Sequence, residues 1–193
     1  MGLTAESKRF NPPTDRLVTG EELAEHPEWG RCELIEGRVV LLSPSGGRHG
    51  EIAGLILGEL YGFVARNNLG RILAAETGLY LARDPDTVRA PDVAYYTQDQ
   101  VPAGGLADGF LKIAPALVVE IISPSDRFSA VVDKVQQYLK AGVQVAWIVD
   151  PRTQTVHVYR KDQPVEVLQA SGTLRDEALL PGWELPLAKV FGA

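Results

Sequence analysis

The stretch from Ala116 to Asp150 constrains the fold more than any other. Ala116-Leu117-Val118-Val119-Glu120-Ile121-Ile122 is an almost unbroken apolar run, the mark of a strand covered on both faces. A helical pattern follows over about Ser129–Ala141 and Gly142 ends it, before a second buried strand, Val145–Val149, stops at Asp150-Pro151. Strand, helix and strand in so short a span predict a right-handed crossover between parallel strands.

Hairpin patterns stand on both sides of that unit, so the sheet is expected to be mixed and the class α/β. Thr19-Gly20-Glu21-Glu22 fits a capping box and predicts a short helix to about His26. Cys32–Ile35 and Arg38–Leu42 read as strands around a Glu36-Gly37 turn. Ile52, Leu55, Ile56, Leu60, Phe63 and Val64 follow helical spacing up to Asn67-Asn68. Further strands are expected near 71–75, 78–82 and 93–96, and 155–159, 165–168 and the 183–185 segment would extend or cap the sheet. Residues 1–18 read as an N-terminal arm closed by Pro12-Pro13, and 19–193 as one domain.

At 193 residues the chain is long enough to bury a core without staples, and its single cysteine, Cys32, makes neither an intrachain bridge nor a cysteine zinc cluster. No signal-like start or membrane-length apolar run is present, which points to a cytoplasmic protein with no membrane partner. The formal net charge of −6 argues against binding nucleic acid through bulk positive charge. Any such role must rest on a local patch, a metal ion or a dimeric groove. Arginine outnumbers lysine, which suits phosphate contact but equally fits a base-composition bias.

Glu120 is the chemical anomaly. It stands mid-strand with Val118 and Ile122 on its face, where an unpaired carboxylate would cost several kcal/mol. Asp92 follows Pro91 at the mouth of another strand. Two carboxylates on neighbouring strands are a means of holding a hard divalent cation; the competing reading for Glu120 is a buried ion pair with an arginine. On the following helix Val131, Val135, Tyr138 and Leu139 form one stripe and Lys134 flanks it, placed to lean toward Glu120 or to snorkel at the boundary. Lys140 and Asp133 point away.

Pro91-Asp92, followed by Val119-Glu120-Ile121-Ile122-Ser123, resembles the PD-(D/E)XK restriction-endonuclease-like superfamily. More closely, the chain is similar to a widespread prokaryotic family of restriction endonucleases long known as a domain of unknown function. Glu33-Leu34-Ile35-Glu36-Gly37, His49, Pro91-Asp92-Val93, the Glu120 strand with Pro124-Ser125, Lys134 with Tyr138 and Gly142-Val143, and Trp147–Pro151 carry the likeness, from about residue 30 onward. Two departures are plain. The superfamily lysine two residues after the acid is Ile122 here, so the resemblance transfers that role to Lys134, and an aspartate that relatives carry one turn earlier is Ala130.

The resemblance implies a restriction-endonuclease-like mixed sheet flanked by helices and metal-assisted hydrolysis of DNA phosphodiesters. Asp92, Glu120 and the Ile121 carbonyl would hold Mg2+, with Mn2+ as substitute, and Lys134 would orient water or stabilise the transition state. Glu33 is either a ligand for a second metal or a half-buried strand acid. His49 is a supporting or helix-capping residue at the DNA side, and Arg31, Arg38 and Arg48 either meet the DNA backbone or are solvated. Glu76 is expected in solvent. A homodimer is expected, because cutting two strands takes two sites. Two alternatives stand beside this reading: an inactive nuclease-fold binding or regulatory module, and a metal-free hydrolase using the two carboxylates as acid and base.

Overall fold

The computed structural model describes residues 11–192. The arm expected over residues 1–18 therefore lies partly outside the described residues. From Val18, whose N–H donates to the Gly37 carbonyl at 2.8 Å, the chain is tied into the fold. Helix α1 (Gly20–Glu25) begins at Thr19, whose side chain accepts from the Glu22 N–H. Strands β1 (Cys32–Ile35) and β2 (Arg38–Leu41) pair antiparallel. Their turn places Glu36 at φ 49° and Gly37 at φ 74°, the two positive values that a tight two-residue hairpin requires. The long helix α2 (Gly47–Asn67) ends on Asn68 in the left-handed conformation.

Strands β3 (Gly70–Ala74), β4 (Leu79–Ala82), β5 (Thr87–Arg89) and β6 (Val93–Thr97) follow. The crossover unit then runs as β7 (Leu117–Ile121), α3 (Phe128–Lys140) and β8 (Val145–Asp150), with β7 and β8 parallel as expected. The chain closes with β9 (Thr155–Arg160), β10 (Glu166–Gln169), β11 (Thr173–Arg175), β12 (Glu184–Pro186) and the short α4 (Leu187–Phe191).

The main sheet has six strands in the order β10-β9-β8-β7-β6-β3, mixed because only β7–β8 is parallel. Two features differ from the sequence expectation. The hairpin β1–β2 does not join this sheet but forms a second one, β2-β1-β5-β4, through the very short β5. The 183–185 segment does not extend the main sheet either: β12 pairs with β11 as a separate ribbon, because Trp183 and Leu185 turn into the core beneath it.

Alternation along the central strands sorts side chains to two layers. Val93, Tyr95, Val119, Ile121, Trp147 and Val149 face α2, α4 and the ribbon, where Trp147 stacks on Trp183. Ala94, Tyr96, Val118, Ile122, Ala146 and Ile148 face α3, whose Val131, Val135, Tyr138 and Leu139 cover them. Each such large side chain, fully buried, contributes about 1.5–3 kcal/mol. Glu120 shares the face of Val118 and Ile122 and so points at α3. A third cluster of Val18, Leu23, Trp29, Leu34 and Val88 packs α1 onto the small sheet. No helix of the described residues is long and apolar enough to cross a membrane.

Candidate active site

Antiparallel pairing of β6 with β7 sets Val93 opposite Val119, which brings Asp92, one residue before β6, beside the end of β7. The Asp92 N–H donates to the Val119 carbonyl at 3.1 Å, and Asp92 Oδ2 accepts from the Ile121 N–H at 2.8 Å. His49, in the first turn of α2, places Nε2 3.1 Å from the same oxygen. That hydrogen bond raises the imidazole above its ordinary pKa; burial opposes it and the Asp92 charge adds to it.

Glu120 lies on the same floor, 7% exposed. Its Oε1 accepts from the Tyr138 hydroxyl at 2.8 Å and lies 2.8 Å from Lys134 Nζ. Lys134 is also 2.9 Å from Glu33 Oε1 and donates to the Ala90 carbonyl at 3.3 Å. Three oxygens thus surround an ammonium that has three protons to give. Burial works against its charge, but Glu120 and Glu33 outweigh it and raise the lysine's pKa. For Glu120 the balance falls the other way. Burial, with Asp92 and Glu33 as like-charged neighbours, outweighs Lys134 and pushes the carboxyl up to about 7.

Asp92, Glu120 and Lys134, far apart in sequence, therefore meet in one cleft of about 440 Å³, which Ile121 and His49 also line. The cation beside Glu120 is Lys134, not an arginine. Arg89, which sequence reasoning did not single out, pairs instead with Glu33 at 2.7 Å and donates to Gln137 Oε1 at 3.1 Å. Its position three residues before Asp92, at the end of a strand, was the available signal. Tyr138 entered as an apolar-stripe residue and as part of the family likeness, with no role at the site, although its i, i+4 spacing from Lys134 puts both on one helix face.

Four of the candidates are engaged by partners within the protein. Glu33 has both oxygens taken up, by Lys134, the Ala90 N–H at 3.0 Å and Arg89, so it anchors cations rather than standing open to a second metal. Burial pushes its carboxyl up, but Lys134 and Arg89 hold it below its ordinary value. His49, expected as a supporting or helix-capping residue, is buried in the cleft with Nε2 against Asp92. Arg48 caps α4, donating to the Phe191 carbonyl at 2.7 Å, and also pairs with Glu51 at 2.7 Å. Arg31 holds the segment after β2 through the Ser43 carbonyl and Ser45 Oγ, both at 3.3 Å, with Glu76 at 3.5 Å. Glu76 itself is exposed, as expected, and Arg38, opposite Ile35 in the hairpin, has no side-chain partner among the described residues.

The donor set suits a hard cation. Asp92 Oδ1 and Glu120 Oε2 accept no hydrogen bond among the described residues. The one sealed side-chain polar atom without a partner there is Trp147 Nε1, so neither oxygen is sealed from solvent, and both residues line the cleft. No group of three or more His, Cys, Asp or Glu side chains is arranged around a metal position among the described residues. A cation here would be held by two carboxylates, a backbone carbonyl and water, which is how Mg2+ is commonly bound.

The fold is that of a solved structure, a "putative nuclease belonging to DUF820" from Anabaena variabilis ATCC 29413. That structure matches with a TM-score of 0.78 at 24% identity, over 91% of this chain and 98% of that one. No protein of curated function matches. Residues 20–188 match the model of one protein family, and the chain accordingly belongs to Uma2, the family described as "Putative restriction endonuclease".

Proposed function

We propose that the protein is a metal-dependent endodeoxyribonuclease whose cleft hydrolyses DNA phosphodiesters. One observation carries this reading: two carboxylates each turn an unpartnered oxygen to the same cleft, beside a lysine held between acids. Asp92, Glu120 and the Ile121 carbonyl would hold Mg2+ or Mn2+. Such a cation neutralises phosphate charge and makes a bound water more acidic.

The chain's own groups supply the rest. The Ile121 N–H and His49 fix the Asp92 carboxylate so that Oδ1 faces the cleft, while Tyr138 does the same for Glu120 Oε2. Lys134, kept charged by Glu33 and Glu120, places a fixed positive charge where the pentavalent transition state builds negative charge. Glu33 and the Ala90 carbonyl hold that lysine in place. Each chain provides one site and so acts on one strand at a time. Cutting both strands takes two chains, and a homodimer belongs to this reading; light scattering should return twice the 21.0 kDa chain mass.

Nicking of supercoiled plasmid tests the assignment. Cleavage is expected with Mn2+ or Mg2+, none in chelator, and a loss of about a hundredfold or more for Asp92→Asn and for Lys134→Ala. Cleavage that persists in chelator would point to acid–base hydrolysis without metal. A folded wild type that cuts neither plasmid nor single-stranded DNA would point to a binding module.

A further inference from the structure

We propose that the cleft takes an unpaired DNA strand, with a base against the inner face of the β1–β2 hairpin and its phosphate at the floor; this rests on the nuclease reading above. Depth is the first reason. Asp92 is 6% exposed, Glu120 7%, and Lys134 retains only 15% of its side-chain surface. They lie below two walls, the hairpin on one side and the Ser123–Asp126 turn with the start of α3 on the other. The segment Ser43-Pro44-Ser45, pinned by Arg31, crosses the rim. A cleft of about 440 Å³ has room for a nucleotide.

The walls differ in chemistry. In the hairpin register Glu33 stands opposite Val40 and Ile35 opposite Arg38, and cross-strand partners share a face. Leu34 and Val39 turn away into the α1 cluster, so the cleft side presents Ile35 and Val40, continued by Leu42. Val40 is 37% exposed. Ile35, Val40 and Leu42 offer nothing to the phosphates of a duplex, whereas apolar side chains do pack on an unstacked base; Arg38, opposite Ile35 on the same face, is the group there that suits a phosphate. The opposite wall carries Ser123 and Ser125, polar groups suited to a sugar–phosphate backbone.

Charge points the same way. Duplex binding by phosphate neutralisation draws on many free cations. Here Arg89 and Lys134 are paired with Glu33 and Glu120, Arg48 is held by the end of α4, and Arg31 leans on Glu76, which leaves Arg38 of the hairpin as the free cation of these five among the described residues. One free arginine neutralises few phosphates, so bases, whose faces an unpaired strand presents, carry a larger share of the affinity.

Fluorescence anisotropy with labelled oligonucleotides of one sequence tests this independently of catalysis. The full chain, in chelator, where no cleavage is expected, is titrated with a single strand, the paired duplex, and a duplex holding an unpaired bubble. We expect the single strand and the bubble to bind at least tenfold more tightly than the duplex, and Val40→Ser to weaken the single strand at least threefold. Val167→Ser, on the exposed edge strand β10, should leave binding unchanged. Equal or tighter duplex binding, no binding of any form, or a Val40→Ser variant that binds as the wild type would overturn the proposal. Single-strand binding by a protein that never cleaves would leave it standing and overturn the nuclease reading instead.

Discussion

A single carboxyl group shows how this cleft balances stability against chemistry. Because the folded Glu120 carboxyl lies near 7 against an ordinary 4.5, the unfolded chain ionises it first. Its contribution therefore turns unfavourable as pH rises from about 4.5 and levels off above about 7. In chelator, Glu120→Gln should raise stability at pH 8 by on the order of 1–3 kcal/mol and give no gain below pH ~4.5; Lys134 keeps Glu33 as its partner in the variant. Thermal melts at the two pH values check it, and a lower melting temperature at pH 8 would mean that Lys134 depends on Glu120 more than on Glu33. Two of the three histidines, His49 and His157, respond in opposite senses. His49 is raised by Asp92, and His157 is lowered by burial. Metal-free NMR titrations should show one imidazole titrating above about 6.5 and the other below it. The Glu120 anomaly was legible in sequence because an acid inside an apolar run has no bland explanation. Arg48 was not, since its partner lies 143 residues away and no local pattern announces a backbone carbonyl.

Elements differ in how much of themselves they reveal. The crossover of β7, α3 and β8 could be read from unbroken apolar runs and a helical stripe, and the flank position of Lys134 followed from that stripe. The small sheet could not be. Strand β5 spans three residues, too few to show a period, yet it joins β4 to β1 and ends on Arg89. Alternation in β1 and β2 says that they are strands and nothing about which sheet receives them. Within this second sheet Glu33 pairs with Arg89, and through Lys134 of α3 it is tied to Glu120 of the main one. Arg89→Met should then cost about 3 kcal/mol, because it leaves Glu33 buried with one cation instead of two. Chemical denaturation measures the loss, and a change below ~1 kcal/mol would show that Lys134 alone satisfies Glu33.

At the scale of the whole molecule, charge that looked awkward for a nucleic-acid enzyme becomes consistent with a site that engages few phosphates. Raising salt from about 50 to about 200 mM should weaken single-strand binding by less than roughly tenfold, as two or so neutralised phosphates would give. A steeper dependence would reveal a basic surface beyond the cleft. The cleft also has a consequence for how the protein comes into being. Glu33, Asp92, Glu120 and Lys134 arrive on four separate segments, and their contacts span from 14 to about 100 positions of sequence. A partly synthesised chain that ends in β7 holds three carboxylates without their lysine, and one that lacks β8 lacks a strand that α3 docks against. Such long-range closure comes late in folding. Growing chains thus carry no assembled site, and completion of the fold is itself the step that arms the protein.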